Sequence, residues 1–310
     1  MTRLRLAAAL LSCAALWSMP AASRTPDRPA KPCLASIASM TAGLDKTLAV
    51  DEFRIHYATK GRDALTHQAD GNRNGRPDAI EDLAAQLTAA RDYYVSLGLK
   101  PPLSQKRYRQ AQSINVLVRR LPTGNGLAFD ETTRDASNSG CALAMVVGAD
   151  IQFDRNVTAA HELFHLFQYG YAMFKSAWYL EGMARWMEGA FTGRGTSGSA
   201  SAPSAARCTD VLGDSYSASR FWRSTTQTKA SPLPSRLRST TYSDGRAVVG
   251  NPAFAAGAVR PMLEALQRLS TEVSIRNSVP PHEWPESLQK SNRFDKDICQ
   301  AIENSIGKSQ

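Results

Sequence analysis

The sequence of 310 residues is informative first for what it lacks. Beyond the first two dozen residues it has no uncharged apolar run approaching the roughly 20 residues that a membrane-spanning helix needs, which excludes a protein with several spans. It has no repeat of fixed period and no sustained heptads, which excludes solenoids, collagen and coiled coils. No two of its five cysteines are spaced C-x-x-C. A zinc site built from thiols is therefore not expected.

The sequence also lacks any local stretch that is rich in charge of one sign. Lys and Arg number 37 against 28 Asp and Glu, a formal net charge of +9, but the basic residues are scattered. Because there is no basic stripe with interleaved aromatic residues, nucleic-acid binding is not expected, and the charge serves solubility. With 43% hydrophobic and 21% charged residues the chain can bury a core of its own, as one large domain or two modest ones.

The N-terminus predicts a secretory signal peptide over residues 1–22. Arg3 and Arg5 precede an uncharged stretch at residues 6–17, which is followed by Pro20 and small residues. The apolar stretch is too short for the first alternative, a membrane anchor. The second alternative is lipidation at Cys13, whose surroundings resemble a bacterial lipobox. Removal of the peptide predicts a secreted or periplasmic protein without stable membrane insertion.

Export changes the interpretation of the cysteines. Without Cys13 an even number remains in an oxidising compartment, which predicts two disulfides. Sequence leaves all three pairings open among Cys33, Cys141, Cys208 and Cys299.

The order of the patterns predicts an α+β fold, a small mixed α/β N-terminal part packed on a mainly helical C-terminal part. Residues 23–50 are predicted to be a leader, 51–191 the core and 192–310 the helical subdomain, after a Ser/Gly/Ala-rich connection. Strands are predicted at residues 53–57, 114–118 and 142–147. Apolar residues at helical spacing predict a helix from Pro77 to Gly98. Weaker patterns predict helices at 214–224, 254–270 and 284–306.

The central motif is H-E-x-x-H, formed by His161, Glu162 and His165. Side chains at positions i and i+4 lie on one face of a helix, which lets both histidines bind one zinc ion. Glu162 is then placed to accept a proton from water whose pKa zinc has lowered to about 7. The alternative is a helix whose histidines are ordinary polar residues. However, apolar residues occupy almost all other positions of this helix surface, which predicts a buried helix. Burying three titratable groups without a partner would cost several kcal/mol.

A third zinc ligand is suggested by a second motif. Glu181 opens E-G-x-A and lies sixteen residues after His165, with a turn at Gly170 between the two predicted helices. This resembles the second signature of the gluzincin metallopeptidases, in which the glutamate completes the zinc site. The alternative for Glu181 is a surface ion pair with Arg185, worth about 0.3 kcal/mol. Glu188 is an alternative ligand or a group behind the ligands.

A calcium loop is predicted at residues 70–81, which fit the pattern D-x-N-x-N-G-x5-E. Side-chain oxygens would come from five positions and a backbone carbonyl from one, Arg76, while Gly75 makes the turn. The alternative is a polar turn that caps the following helix. Pro77 occupies the position through which such loops usually pair, so a lone structural site is expected. The predicted ligands are Asp70, Asn72, Asn74, Arg76, Asp78 and Glu81.

Over residues 50–190 the chain resembles a family of secreted bacterial metallopeptidases. The matching motifs are F-x-I-H-Y at 53–57, N-G-x-P-D-x-I-E at 74–81, Leu97-Gly98, H-E-x-F-H-x-x-Q at 161–168 and W-x-x-E-G-x-A-x-W-x-E at 178–188. The resemblance implies a zincin-like fold with the zinc site between two adjacent helices. It also implies a Tyr or His that donates a hydrogen bond to the transition state. Tyr216 is preferred for this role, with Tyr242 and His282 as alternatives.

These features predict a secreted zinc peptidase with a catalytic zinc ion, a structural calcium ion and Glu162 and Tyr216 as catalytic residues. The expected partner is a peptide or protein substrate, with no nucleic acid, and the chain is expected to be a monomer. The alternative is a secreted domain of the same fold that binds metal or serves adhesion without catalysis. Glu162 favours the enzyme, because a structural site has no use for a carboxylate that is not a ligand.

Overall fold

The structure, a computed structural model, describes Cys33 and residues 35–36, 38–134, 140–193, 207–225 and 232–307. All of these belong to one unit, residues 32–310. The predicted signal peptide and most of the connection at 192–206 lie outside the described residues.

One mixed, seven-stranded sheet forms the centre of the fold. Its strands are β1 (Ala35–Ser36), β2 (Lys46–Val50), β3 (Phe53–Tyr57), β4 (Ala111–Arg119), β5 (Gly126–Ala128), β6 (Thr133–Arg134) and β7 (Cys141–Gly148). The order is β1-β6-β7-β4-β3-β2, and β5 also pairs with β7. Strands β3, β4 and β7 are parallel, whereas β2 is antiparallel to β3, and β5 and β6 are antiparallel to β7.

The three parallel strands confirm the strands predicted from sequence. In β3 the predicted alternation corresponds to alternating burial, and β7 is buried along its whole length because both of its faces are covered. Strand β2 lies at the end of the predicted leader, so the sheet includes residues before position 51. The short strands β5 and β6 were not predicted.

Before residue 192, four described α-helices accompany the sheet: α1 (Ala38–Thr41), α2 (Asp78–Ser96), α3 (Thr158–Tyr171) and α4 (Ala177–Met187). Helix α2 confirms the predicted helix, with Pro77 as its N-cap. Gly98 follows it with φ of 82°, a left-handed conformation that favours glycine and ends the helix. Helices α2 and α3 pack against each other, and Tyr94 of α2 donates a hydrogen bond to Ala160 O of α3 at 3.0 Å.

Beyond residue 207 the described residues are mainly helical. The helices are α5 (Ser219–Ser224), α6 (Ser235–Ser239), α7 (Val259–Arg276), α8 (Glu286–Gln289) and α9 (Asp295–Gly307). The helix predicted at 254–270 therefore begins and ends later. The one predicted at 284–306 is divided in two by a 3-10 turn at Asn292–Phe294. Buried residues on both sides of position 192 share one hydrophobic core, which extends from Phe53 to Ile302.

Two disulfides confirm the predicted number and settle the pairing as Cys33 with Cys141 and Cys208 with Cys299. The first attaches the chain before β1 to the start of β7, and the second attaches a 3-10 turn to α9. In the part of the chain that the structure describes, no helix has the length and apolar character needed to cross a membrane.

Candidate metal centre

Helix α3 carries the H-E-x-x-H motif through the interior of the protein. Its apolar side chains, among them Leu163, Phe164 and Phe167, are fully buried. The three polar residues of the motif are buried as well, with 5% of His161, 7% of Glu162 and 4% of His165 exposed. A helix buried on almost every side must supply partners for such groups from within the fold.

Helix α4 supplies the principal partner. After α3 ends at Tyr171, a short connection returns the chain and α4 packs beside α3, which brings Glu181 over the two histidines. The Glu181 Oε2 atom lies 3.2 Å from His161 Nε2 and 3.5 Å from His165 Nε2. The ligand-capable atoms of the three residues all lie within 4.8 Å of one another. These residues can hold a metal ion, and we refer to them as the triad.

The other nitrogen of each histidine ring is held from behind. His161 Nδ1 lies 2.8 Å from Glu188 Oε1, and His165 Nδ1 lies 2.8 Å from Gln168 Oε1. Because a carboxylate and an amide oxygen can only accept, both Nδ1 atoms carry the proton. The Nε2 atoms, which face Glu181, are therefore the ring nitrogens available to bind a divalent metal.

Glu188 is thus a partner of His161 and not an alternative ligand. Its second oxygen accepts a hydrogen bond from Arg185 at 2.6 Å. The surface pair considered for Glu181 and Arg185 does not form, because Arg185 pairs with Glu188. Helix α4 ends at Met187, and the 3-10 turn that begins at Glu188 directs this carboxylate behind His161.

Three carboxylates surround two imidazoles, and the pKa values reflect this excess of acid. Burial lowers the pKa of His161, but hydrogen bonds with Glu181 and Glu188 outweigh the burial and raise it to about 9. Burial acts to raise the pKa of Glu181, yet the two histidines hold it well below its usual range. For Glu162 burial is the larger effect and raises the pKa, against the opposing influence of His165. The cluster therefore favours an added positive charge.

Glu162 lies beside the triad and against strand β5. A Cβ atom built on Gly126 would lie 2.6 Å from both Cγ and Oε1 of Glu162 and 2.7 Å from Thr158 Cγ2. Only a glycine at this position leaves room for the carboxylate, because ordinary carbon contacts are about 3.5–4.0 Å. Strand β5 thus fixes one side of the space that Glu162 occupies.

Strand β5 presents an open edge alongside α3. The backbone groups of Asn125 and Phe129 form hydrogen bonds with β7. In an antiparallel pair every second residue is bonded in this way, so the backbone N–H and C=O groups of Leu127 also point towards β7. The backbone N–H and C=O groups of Gly126 and Ala128 therefore point away from the sheet. Among the described strands none pairs with this edge. A peptide in extended conformation could add to it as a further strand.

Of the three candidate hydrogen-bond donors, Tyr216 is the one that contacts the triad. Its ring centroid lies 5.8 Å from that of His161, and 55% of the residue is exposed. Partial burial, followed by the charge of Glu181 and a hydrogen bond to it, raises the pKa of Tyr216 to about 12. The phenol therefore remains protonated and able to donate.

The other two candidates have different surroundings. Tyr242 is buried, and its hydroxyl accepts a hydrogen bond from Gln86 at 3.0 Å. Gln86 in turn accepts from the backbone N–H of Ala160 at 3.1 Å, so Tyr242 supports the position of α3 from behind. His282 lies among basic residues, and burial together with the charge of Arg107 lowers its pKa to about 4.

The predicted calcium loop folds on itself through its own side chains. Asp70 accepts hydrogen bonds from the backbone N–H groups of Asn74 and Gly75, at 3.0 and 2.8 Å. Glu81 accepts from the side-chain amides of Asn72 and Asn74, at 2.8 and 2.6 Å. The predicted contribution of Arg76 was its carbonyl, but its guanidinium forms an ion pair with Glu81 at 3.3 Å.

The remaining predicted calcium ligand, Asp78, accepts from the backbone N–H of Gly71 at 3.0 Å. The loop therefore gathers the predicted residues on one side of the N-terminus of α2. Within the described ranges, the triad is the one group of three His, Cys, Asp or Glu residues whose ligand atoms converge. The acids of the loop do not form such a group.

No protein-family profile matches the chain, and no curated protein or solved structure matches it significantly.

Proposed function

We propose that this protein is a secreted zinc-dependent peptidase of the gluzincin type. The observation that carries the proposal is the convergence of His161, His165 and Glu181 with Glu162 beside them but outside the set. A purely structural site needs its ligands alone. An adjacent carboxylate that is buried and yet not a ligand is the arrangement that proton transfer requires.

The donor set fits zinc. Two imidazole nitrogens and one carboxylate oxygen form the three-ligand set typical of catalytic zinc, which leaves one position for water or substrate. The partners of His161 and His165 also fit, because they fix the ring orientations that such ligands need. When bound, zinc polarises a carbonyl and lowers the pKa of water to about 7.

The roles of the chain's own residues follow from their positions. Glu162 accepts the proton of the attacking water and passes it to the leaving amine as the peptide bond breaks. Tyr216, whose phenol remains protonated, donates a hydrogen bond to the carbonyl oxygen as negative charge develops there. The edge of β5 holds the substrate in extended form through the backbone groups of Gly126 and Ala128.

The disulfides of the fold support secretion. Two disulfides are typical of proteins in oxidising compartments, in agreement with the predicted signal peptide.

We further propose that the loop at residues 70–81 binds calcium outside the cell. The carboxylates of Asp70 and Glu81 now accept hydrogen bonds from the loop, and they would exchange them for the ion.

The proposal is tested with the mature protein and its Glu162→Gln variant. The mature protein should contain about one zinc per chain by mass spectrometry and should hydrolyse a fluorescein-labelled casein. The variant should keep the zinc and lose the hydrolysis, because an amide cannot accept the proton. Glu303→Gln, the same change at an exposed position on α9, is the control and should behave as the parent.

A variant that remains active would remove Glu162 from the mechanism. A mature protein that binds zinc but cleaves nothing would instead favour a binding or adhesion domain.

A further inference from the structure

A cavity adjoins the triad at the N-terminal end of α3. It has a volume of about 450 Å³ and lies between the start of α3, the end of α4 and the residue before β5, Asn125. This is within the range of about 300–1,000 Å³ that is usual for ligand sites. Glu188 forms part of its wall and also bonds to His161. The cavity is thus separated from the triad by one side chain.

The lining of this cavity is strongly basic. Three arginines contribute to it, Arg155, Arg185 and Arg223, against one acid, Glu188. Both oxygens of Glu188 are already engaged, one with His161 and the other with Arg185. Among the residues that line the cavity, arginines therefore outnumber acids by three to one.

Arg155 is the arginine best placed to bind a ligand. Its side chain is 71% exposed, and its ion pair with Asp154 is long, at 3.4 Å. Asp154 makes a shorter ion pair, at 2.6 Å, with Arg246. Arg155 can therefore turn towards a ligand at little cost.

The floor of the cavity is aromatic and tightly packed. The rings of Trp186 and Phe254 lie 5.8 Å apart, and Phe254 sits directly on Gly189, where an added Cβ would come within 2.4 Å of it. An apolar floor with charged groups at the rim suits a ligand with a short aliphatic part and an anionic end.

The cavity lies where an extended peptide along β5 would reach it. Asn125 lines the cavity and immediately precedes Gly126, which contacts Glu162. One residue of an extended chain advances about 3.3 Å, so a peptide bound along β5 would place at the cavity a residue within one or two positions of the bond that is cleaved. The rest of the peptide would follow the edge of β5.

We infer that this cavity, the arginine pocket, selects peptides that place a carboxylate in it, either an acidic side chain or the C-terminal carboxylate. This inference rests on the proposed function, because it concerns the substrate of that same site. Arginine is suited to the task, since its guanidinium donates two parallel hydrogen bonds to a carboxylate.

The test measures peptide binding, so that it does not depend on turnover. Fluorescein-labelled decapeptides that differ only by Glu or Gln at one position, or by a free or amidated C-terminus, are titrated against zinc-loaded Glu162→Gln protein. Fluorescence anisotropy should show about tenfold tighter binding of the carboxylate form, which corresponds to one charge-assisted hydrogen bond. A preference for Glu at one position assigns the pocket to a side chain, and a preference for the free C-terminus assigns it to the chain end.

Variants then locate the preference. Arg155→Gln should reduce it severalfold and Arg155→Gln with Arg223→Gln should abolish it. Arg276→Gln, which removes the same charge at the far end of α7, should leave it intact. Circular dichroism checks that each variant is folded, and the exposed position of Arg155 makes its single variant the decisive one.

Two further outcomes would overturn the inference. Equal binding within both pairs of peptides, Glu against Gln and free against amidated C-terminus, would do so. A preference that disappears when the zinc is removed by a chelator would also do so, because the carboxylate would then bind the metal. The proposed function is judged separately, by hydrolysis with the parent protein. Cleavage without preference for either form of carboxylate contradicts the pocket alone, and a preference without any cleavage contradicts the peptidase alone.

Discussion

The contact between Gly126 and Glu162 allows the proposed catalytic role of Glu162 to be tested without changing Glu162 itself. In Gly126→Ala the new methyl group would lie 2.6 Å from Cγ and Oε1 of Glu162. Normal carbon contacts need about 3.5 Å or more, so the carboxylate must move by about 1 Å. The backbone at Gly126 has no left-handed φ, so alanine adds this contact without backbone strain.

A displacement of about 1 Å at a reacting group costs about 100-fold in rate, or about 2.7 kcal/mol in activation free energy. In Gly126→Ala, kcat for a fluorogenic peptide should fall by this factor. The zinc content should stay at one per chain, because the atoms nearest the new methyl group belong to Glu162 and Thr158 and not to the triad. Gly213→Ala is the matched control, since a Cβ there has nothing within 4 Å.

Full activity in Gly126→Ala would refute the role assigned to Glu162, and so would a loss of zinc that parallels the loss of activity. A double-mutant cycle gives a second check. Glu162→Asp withdraws the carboxylate by one methylene group and relieves the contact. The two changes together should therefore cost less than the sum of their separate effects. Strict additivity would show that the two residues do not interact.

Three other predictions concern the surroundings of the triad and the calcium loop. Glu188→Gln should weaken zinc binding about tenfold in competition with a chelator, because His161 loses its charged partner; unchanged affinity would contradict this role. Tyr216→Phe should lower kcat about 100-fold with little change in KM, and an equal rise in KM would instead indicate a role in substrate binding. Calcium at about 100 times its dissociation constant should stabilise the zinc-loaded protein by about 2.7 kcal/mol, seen as a higher Tm by calorimetry. Glu81→Gln should remove this effect. If calcium does not change the Tm of the parent protein, the proposed calcium site is wrong.

The residues of the triad could be predicted because their spacing is local. His161 and His165 lie one turn apart on a single helix, so the helix alone brings their rings together. Glu181 needed one further step, the antiparallel return of α4 after the turn that follows Tyr171. The parallel strands β3, β4 and β7 were predictable for a similar reason, because each has a regular apolar pattern of its own.

Strand β5 could not be predicted in the same way. It has three residues, too few for a periodic pattern, and it follows Gly124 and Asn125, which are typical of a turn. Its position is fixed by pairing with β7, which comes later in the chain. The same limit applies to the disulfides, because only the folded chain brings Cys33 close to Cys141.

The roles of the three glutamates at the site show most clearly what the sequence leaves undecided. Glu162, Glu181 and Glu188 are chemically identical and lie on two adjacent segments, yet each faces a different neighbour. Glu181 faces both Nε2 atoms, Glu188 faces one Nδ1 atom, and Glu162 faces the glycine of β5. The proposed roles of ligand, positioning residue and proton acceptor are therefore distinguished by which side of the imidazoles each carboxylate reaches. For Glu188 that side is decided by the change from α-helix to 3-10 turn at the end of α4. The sequence does not show where this change of backbone geometry occurs, so it left the choice between ligand and positioning residue open for Glu188.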